Sequence, residues 1–227
     1  MNQHLTYFLI LAVSFAGPFA LSFDKKVAFY KKWKALFPAM LLPALLYILW
    51  DIYFSYNGVW WFNENYISGI HLANLPIEEV LFFFIVPYCC VFIYECIRCY
   101  FPGFSNNKNA DRFLKWIAIG LAITGAIFFE RHYTFWVCML NAFFIAVIYT
   151  FRESFKFFDA TSFLISYAVI LVPFLLVNGF LTAIPVVFYN DAENLGIRIY
   201  TIPVEDIFYG MLLVLLNIII YDKLKSR

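Results

Sequence analysis

The chain has 227 residues, 64% hydrophobic, 22% aromatic and 14% charged, with a formal net charge of +1. A soluble domain of that length has no interior large enough for so much apolar surface, so a membrane is the expected solvent. The balanced charge excludes the basic face that nucleic acid requires.

Seven segments approach the ~20 apolar residues needed to cross a bilayer. In chain order they are Leu5–Phe23, Ala35–Phe54, Glu78–Ile97, Phe113–Phe129, Thr134–Phe151, Ser162–Leu181 and Glu205–Tyr221. The fourth and fifth are short and tightly joined by "ERHYT". The first has the length of a signal peptide, but no Lys or Arg precedes it, whereas "DKK" and "KKWK" follow it. That flank predicts a retained span with its N-terminus outside.

Basic residues order the loops. Lys25, Lys26, Lys31, Lys32 and Lys34 follow the first span, and Arg98, Lys108, Arg112 and Lys115 follow the third. Arg152 and Lys156 follow the fifth, and Lys223, Lys225 and Arg227 follow the seventh. The intervening loops carry mainly acidic or neutral residues, among them Glu64, Glu130, Asp191 and Glu193. The alternation predicts a multi-pass protein, as in a bacterial inner membrane, with its C-terminus cytoplasmic. No Lys or Arg sits in mid-span, which argues against a retinal Schiff base or a charged ion pathway. Four of the five cysteines (Cys89, Cys90, Cys96 and Cys99) share one apolar run, so buried thiols are expected and disulfides are not. No His or second Cys pair completes a metal site beside Cys96 and Cys99, and no metal is expected.

An internal repeat organises the chain. "ISGIHLANLPIEEV" (67–80) recurs as "NLGIRIYTIPVEDI" (194–207). Gly69 and Gly196, Pro76 and Pro203, Glu78 and Glu205 each lie 127 positions apart, and Glu79 falls on Asp206. Each copy follows an aromatic loop and opens a span. Spans one to three then correspond to spans five to seven, and the fourth span restores the orientation. The expected fold is an all-α polytopic membrane protein of about seven transmembrane helices, in two parallel three-helix repeats joined by a linker helix. The boundaries are residues 1–107, 108–132 and 133–227.

Proline followed by acids is a favourable helix start, which explains one copy. Two copies beside apolar aromatic helices point to a shared site, because ionisable groups at spans are costly. Glu78, Glu79, Glu205 and Asp206, brought together, cannot all be ionised cheaply, so one retains a proton. A hydrocarbon substrate offers such an acid a C=C bond, and aromatic faces stabilise the resulting carbocation. Phe82, Phe83, Tyr88, Phe208 and Tyr209, on the same two helices, are the candidate substrate-binding faces. Trp60, Trp61 and Tyr66 read as an interfacial belt.

The paired "PIEEV" and "PVEDI" segments, each opening an apolar span, resemble the integral-membrane lycopene cyclases. That family occurs as two three-span subunits, as one fused chain, or as the cyclase half of a bifunctional fungal enzyme. The resemblance covers nearly the whole chain, though its specific part is confined to the two motifs and their glycines. It implies redox-neutral, proton-initiated closure of the ψ end groups of lycopene, or a similar acyclic carotenoid, to β-ionone rings. That is carotenoid biosynthesis by an intramolecular lyase or isomerase, without a cofactor and with room for association with other carotenoid enzymes. The absence of a Gly-x-Gly-x-x-Gly segment agrees. Glu78 and Glu205 would be the catalytic acids and Glu79 and Asp206 their partners, with membrane lipid as a further neighbour. An intramembrane prenyltransferase, a carotenoid hydratase and a seven-helix carrier are the rival readings. One composite site or one site per half are both open.

Overall fold

Lipid offers no hydrogen-bond partner to a backbone, so apolar runs of this length fold as helices that satisfy their own N–H and C=O groups. The computed structural model describes residues 3–105 and 107–225; Arg227, counted above among the cytoplasmic charges, lies outside them. Seven α-helices result: α1 Thr6–Leu21, α2 Trp33–Tyr56, α3 Ile77–Tyr100, α4 Lys108–Ile127, α5 His132–Thr150, α6 Ala160–Ala183 and α7 Glu205–Lys225. Six of them are long and apolar enough to cross a membrane. The exception is α4, whose first two turns carry Lys108, Asp111, Arg112 and Lys115. It still runs the depth of the bundle. Asn107, at its start, donates its backbone N–H to Thr161 Oγ1 at the head of α6 (2.9 Å). Arg131, just past its end, donates to the backbone carbonyl of Asp191 (3.0 Å) in the loop on the opposite side.

The centre of the bundle is α7, which buries residues all round its surface, and α3, packed beside it. Such a helix is apolar on every side because it meets protein on every side. Against α3 lie α1, α2 and α6, and against α7 lie α2, α5 and α6, while α4 leans chiefly on α5. Each repeat therefore packs its middle helix against the central helix of the other.

Short strands complete the fold: β1 Trp60–Phe62, β2 His71–Leu72, β3 Leu75–Pro76, β4 Val187–Tyr189, β5 Arg198–Ile199 and β6 Ile202–Pro203. The sequence repeat is a repeat of backbone. The hairpin β2–β3 pairs His71 with Pro76, and β5–β6 pairs Arg198 with Pro203 in the same register. Gly69 and Gly196 enter these hairpins at φ +80° and +70°, a left-handed conformation in which Cβ is unwelcome. Pro76 and Pro203 end the second strands and are buried. Pro76 is the cap residue of α3; the expected first helical position falls to Ile77.

The strands β1 and β4 pair with each other, joining the two halves. Trp60 faces Tyr189, Trp61 faces Phe188, and Phe62 faces Val187. Two reciprocal bonds flank the ribbon, Asn63 N–H to Val186 O and Asn190 N–H to Val59 O, both 2.9 Å. At the opposite end of the bundle a second crossed joint forms. There, Glu95 on α3 accepts from Lys225 and Tyr221 on α7, and from Lys32. Asp222 on α7 accepts from Arg98 and Tyr94 on α3 at 2.9 and 2.6 Å. "YECIR" (94–98) and "YDKLK" (221–225) are thus a second matched pair at the same 127-residue spacing, each supplying the other's counter-charges.

Candidate active site

Successive helical residues point about 100° apart, so two adjacent acids cannot face the same way. On α3 the structure sends Glu78 backward, and its Oε1 accepts the Ser68 backbone N–H at 2.8 Å. On α7 Glu205 does the same, accepting the Leu195 N–H at 2.8 Å and the Thr134 hydroxyl at 2.6 Å. Both are buried, and the Oε2 of each has no partner. Neither lines the central cavity. Their geometry is that of a brace fastening the preceding loop to the helix start.

Glu79 and Asp206 point inward instead. They line one cavity between the halves, with about 490 Å³ of atom-free space. Glu79 Oε2 accepts the Tyr7 hydroxyl at 2.5 Å. Asp206 accepts the Tyr133 hydroxyl on Oδ1 at 2.6 Å and the Tyr189 hydroxyl on Oδ2 at 3.0 Å. A third carboxyl, Asp51 of α2, is buried beside Glu79 and accepts the Tyr209 hydroxyl at 2.5 Å. The Tyr189 ring is half-buried, but its hydroxyl is enclosed. That burial, with Asp206 alongside, holds the phenol well above its ordinary range and keeps it a donor. The ribbon roofs the cavity by strand alternation. Trp60, Phe62, Val187 and Tyr189 face in, whereas Trp61 and Phe188 face out and stack at 5.8 Å.

The expected site is therefore redistributed. Among the aromatic candidates, Phe82 and Tyr209 line the cavity. Phe83 lies behind, packed on Tyr47 at 5.5 Å. Tyr88 is nine residues, or about 14 Å, further along α3, where its hydroxyl pairs with Ser22 at 2.6 Å. The carbonyl of Phe208 accepts from Asn141 at 2.9 Å, and its half-buried ring lies outside the cavity. Trp60, read as interfacial belt, is buried in the roof. All five cysteines are free. Among the described residues no group of three or more His, Cys, Asp or Glu has the geometry to hold a metal.

Sequence reasoning missed Asp51, Tyr7, Tyr133 and Tyr189. A signal existed for the first: Asp51 is the one charged residue in its apolar run, and the repeat spacing carries it onto Asn178, which lines the same cavity. Tyr7 and Tyr133 lie 126 apart, one short of the repeat, which hides their equivalence.

Buried carboxyls thus face an aromatic-rich cavity inside a bundle in which six helices are long and apolar enough to cross a membrane. The profile of the lycopene cyclase family matches residues 4–97 and 130–224, so most of the chain is covered in two segments. The chain belongs to the lycopene cyclase family. A bifunctional lycopene cyclase/phytoene synthase from Pyrenophora tritici-repentis (strain Pt-1C-BFP) is 31% identical over 84 residues. That match covers 36% of this chain and 14% of the fungal protein. No solved structure matches the chain significantly.

Proposed function

We propose that this protein closes β-ionone rings at the ends of lycopene, or of a similar acyclic carotenoid, by proton transfer from and to carboxyls of one composite site. The observation that carries the reading is the shared cavity. Glu79, Asp206 and Asp51 face it together, no Lys or Arg lines it, and its walls are chiefly Trp, Tyr and Phe. Even with Arg198 behind Tyr189 as a nearby cation, three carboxyls cannot all be charged in a low-dielectric site, so one is an acid.

Hydrogen bonding supports a division of roles. Asp206 accepts a hydroxyl on each oxygen, which stabilises a carboxylate there and suits it to act as the base. Glu79 accepts one hydroxyl and lies against Asp51, so these two share the proton that initiates the reaction. The O–H bond of the acid breaks as a C–H bond forms on the terminal alkene, leaving a tertiary cation. The neighbouring double bond attacks that cation, forming the ring C–C bond and moving the charge into the ring. Asp206 then takes a ring proton and a new alkene forms. The substrate gains one proton and loses one, so the step is an isomerisation, and the proton left on Asp206 returns to the Glu79–Asp51 pair across the shared cavity before the next turnover. Trp60 and the tyrosine rings shield the cation from water and attract it. Glu78 and Glu205 brace the two loops that position the acids.

Residues 1–107 and 133–227 are then two parallel repeats about the membrane normal, with α4 as the crossing that restores orientation. The symmetric pairing of β1 with β4 supports a two-fold arrangement, and the basic loops support an outer N-terminus and a cytoplasmic C-terminus. Expressing the chain in lycopene-making cells tests the activity. The cells turn from red to orange-yellow and yield cyclic product on separation; unchanged lycopene at confirmed expression overturns the reading.

A further inference from the structure

Two apolar grooves flank the acid cavity, one between α1, α3 and α6 and the other between α5, α7 and α2. They are repeat-related, yet their residues differ in one direction. The first has Ser14, Pro18 and Val177 where the second has Leu140, Phe144 and Trp50. The difference continues at the inner ends. Phe82 and Phe174 line both the first groove and the acid cavity, so the two spaces adjoin through a pair of phenyl rings. The equivalent residues on the other side are Tyr209 and Tyr47. Tyr47 donates to the Tyr209 carbonyl at 2.9 Å, Tyr209 donates to Asp51, and the two rings pack at 4.8 Å. The second groove shares no lining residue with the acid cavity.

The backing differs too. Phe174 sits on Gly210, where an added Cβ would lie 2.6 Å from the ring. Tyr47 is instead wedged against Phe83 and Trp50. The second groove is the wider, about 890 against 550 Å³ of atom-free space. Width at the lipid side does not admit a guest when the inner end is closed by hydrogen bonds.

We infer that the α1–α3–α6 groove is the single route by which a long apolar chain reaches the acids, its end passing between Phe82 and Phe174 while its remainder lies along Ser14, Cys89 and Val177. The identity of that chain as a carotenoid polyene rests on the cyclase reading. The space beside the acids is far too small for a whole polyene, so at most an end group reaches them and the remainder must lie in an adjoining apolar space. With one route, a substrate with two similar ends is processed one end per visit.

Transplanting the other groove's residues tests the route. Val177→Trp and Ser14→Leu are compared with Leu140→Trp, at matched folded protein judged by size-exclusion elution and thermal melting. Lycopene turnover is one readout. The other is lycopene retained through purification by the same variants in a Glu79→Gln background, which needs no turnover. The expected result is that Val177→Trp and Ser14→Leu each lower turnover about tenfold or more and lose retained pigment, whereas Leu140→Trp keeps both. The single-route inference is overturned, with the cyclase reading intact, if Leu140→Trp has the larger effect or all three act equally while the wild type cyclises. If the wild type does not cyclise lycopene, the cyclase reading fails and pigment retention alone decides the groove. If the wild type retains no lycopene either, both fall.

Discussion

Exchanging the roles of the two acids in each motif yields opposite mutant phenotypes. Glutamine at position 79 keeps the shape and can accept the Tyr7 hydroxyl, but it neither delivers nor removes a proton. Loss of a general acid lowers turnover by about 10²–10⁴-fold, and folding should survive. At position 78 the loss is structural. The Ser68 N–H now meets a neutral amide instead of a carboxylate, which weakens that bond by about 1 kcal/mol, and the new NH₂ enters a site where Oε2 has no partner. An unsatisfied buried donor adds roughly 1–3 kcal/mol. Glu78→Gln should therefore melt several degrees lower, with turnover per folded molecule within about threefold of wild type. Asp206→Asn should follow Glu79→Gln, and Glu205→Gln should follow Glu78→Gln. The assay pairs product separation from lycopene-making cells with thermal unfolding of the purified protein. A Glu78→Gln protein that melts normally but is inactive, beside an active Glu79→Gln, would refute the geometry-based assignment.

Asp51→Asn should lower turnover at least about tenfold without unfolding the protein, because the amide oxygen still accepts from Tyr209; wild-type rates would remove Asp51 from the proton relay. Glu95→Gln should cost roughly 2 kcal/mol of stability, less than the 3–5 of a fully buried pair, since Lys32 and Lys225 are partly exposed; melting reads the loss, and turnover at matched folded protein should stay unchanged. Single cysteines at Lys32, Lys108 and Lys225 should label from the cytoplasmic side and those at Asn63 and Asn190 from the other, so opposite labelling of Asn63 and Asn190 would end the parallel arrangement. Early in a time course the one-ring product should exceed the two-ring product and be released, which appearance of only the two-ring product from the first turnover would contradict.

Helices and the repeated hairpin were legible because an apolar chain has little choice. Unbroken apolar runs must be helical, and "GIHLANLPIEEV" with "GIRIYTIPVEDI" carries the backbone demands of one hairpin, namely a left-handed glycine and a proline at the strand end. The linker helix was read as a crossing from the apolar run Phe113–Phe129, yet four charges crowd its first turns and it is the one α-helix that falls short of a span by length and composition. The inward direction of a side chain was not legible. Glu78 and Glu79 are neighbours, and nothing local decides which of two adjacent positions faces the other half. That depends on the rotation of α3 against α7, a property of the assembled bundle. The Tyr7 and Tyr133 donors were hidden by a one-residue slip in the repeat, and Tyr189 by its position in a ribbon whose pairing joins distant loops.

Identity and divergence across the repeat have different physical causes, and this favours Glu79 and Asp206 as the reacting pair. In the two motifs, Gly69/Gly196, Pro76/Pro203 and Glu78/Glu205 are repeated without change and serve backbone geometry: a positive φ, a strand end, and a carboxylate accepting a loop N–H. The two halves fold the same hairpin, so they need the same residues. Most positions facing the cavity are changed, Glu79 to Asp206, Asp51 to Asn178 and Phe82 to Tyr209, whereas Tyr7 and Tyr133 are kept as hydroxyl donors to the two acids. Ring closure requires one group to give a proton and another to take it, and a symmetric pair of carboxyls has no preference between these tasks. Replacing one partner carboxyl by Asn178, and giving Asp206 a second hydroxyl donor, fixes the preference before substrate arrives. The same divergence opens one flanking groove with phenyl rings and closes the other with tyrosines. On the proposed reading, divergence between the two halves gives the site one acid side, one base side and one door.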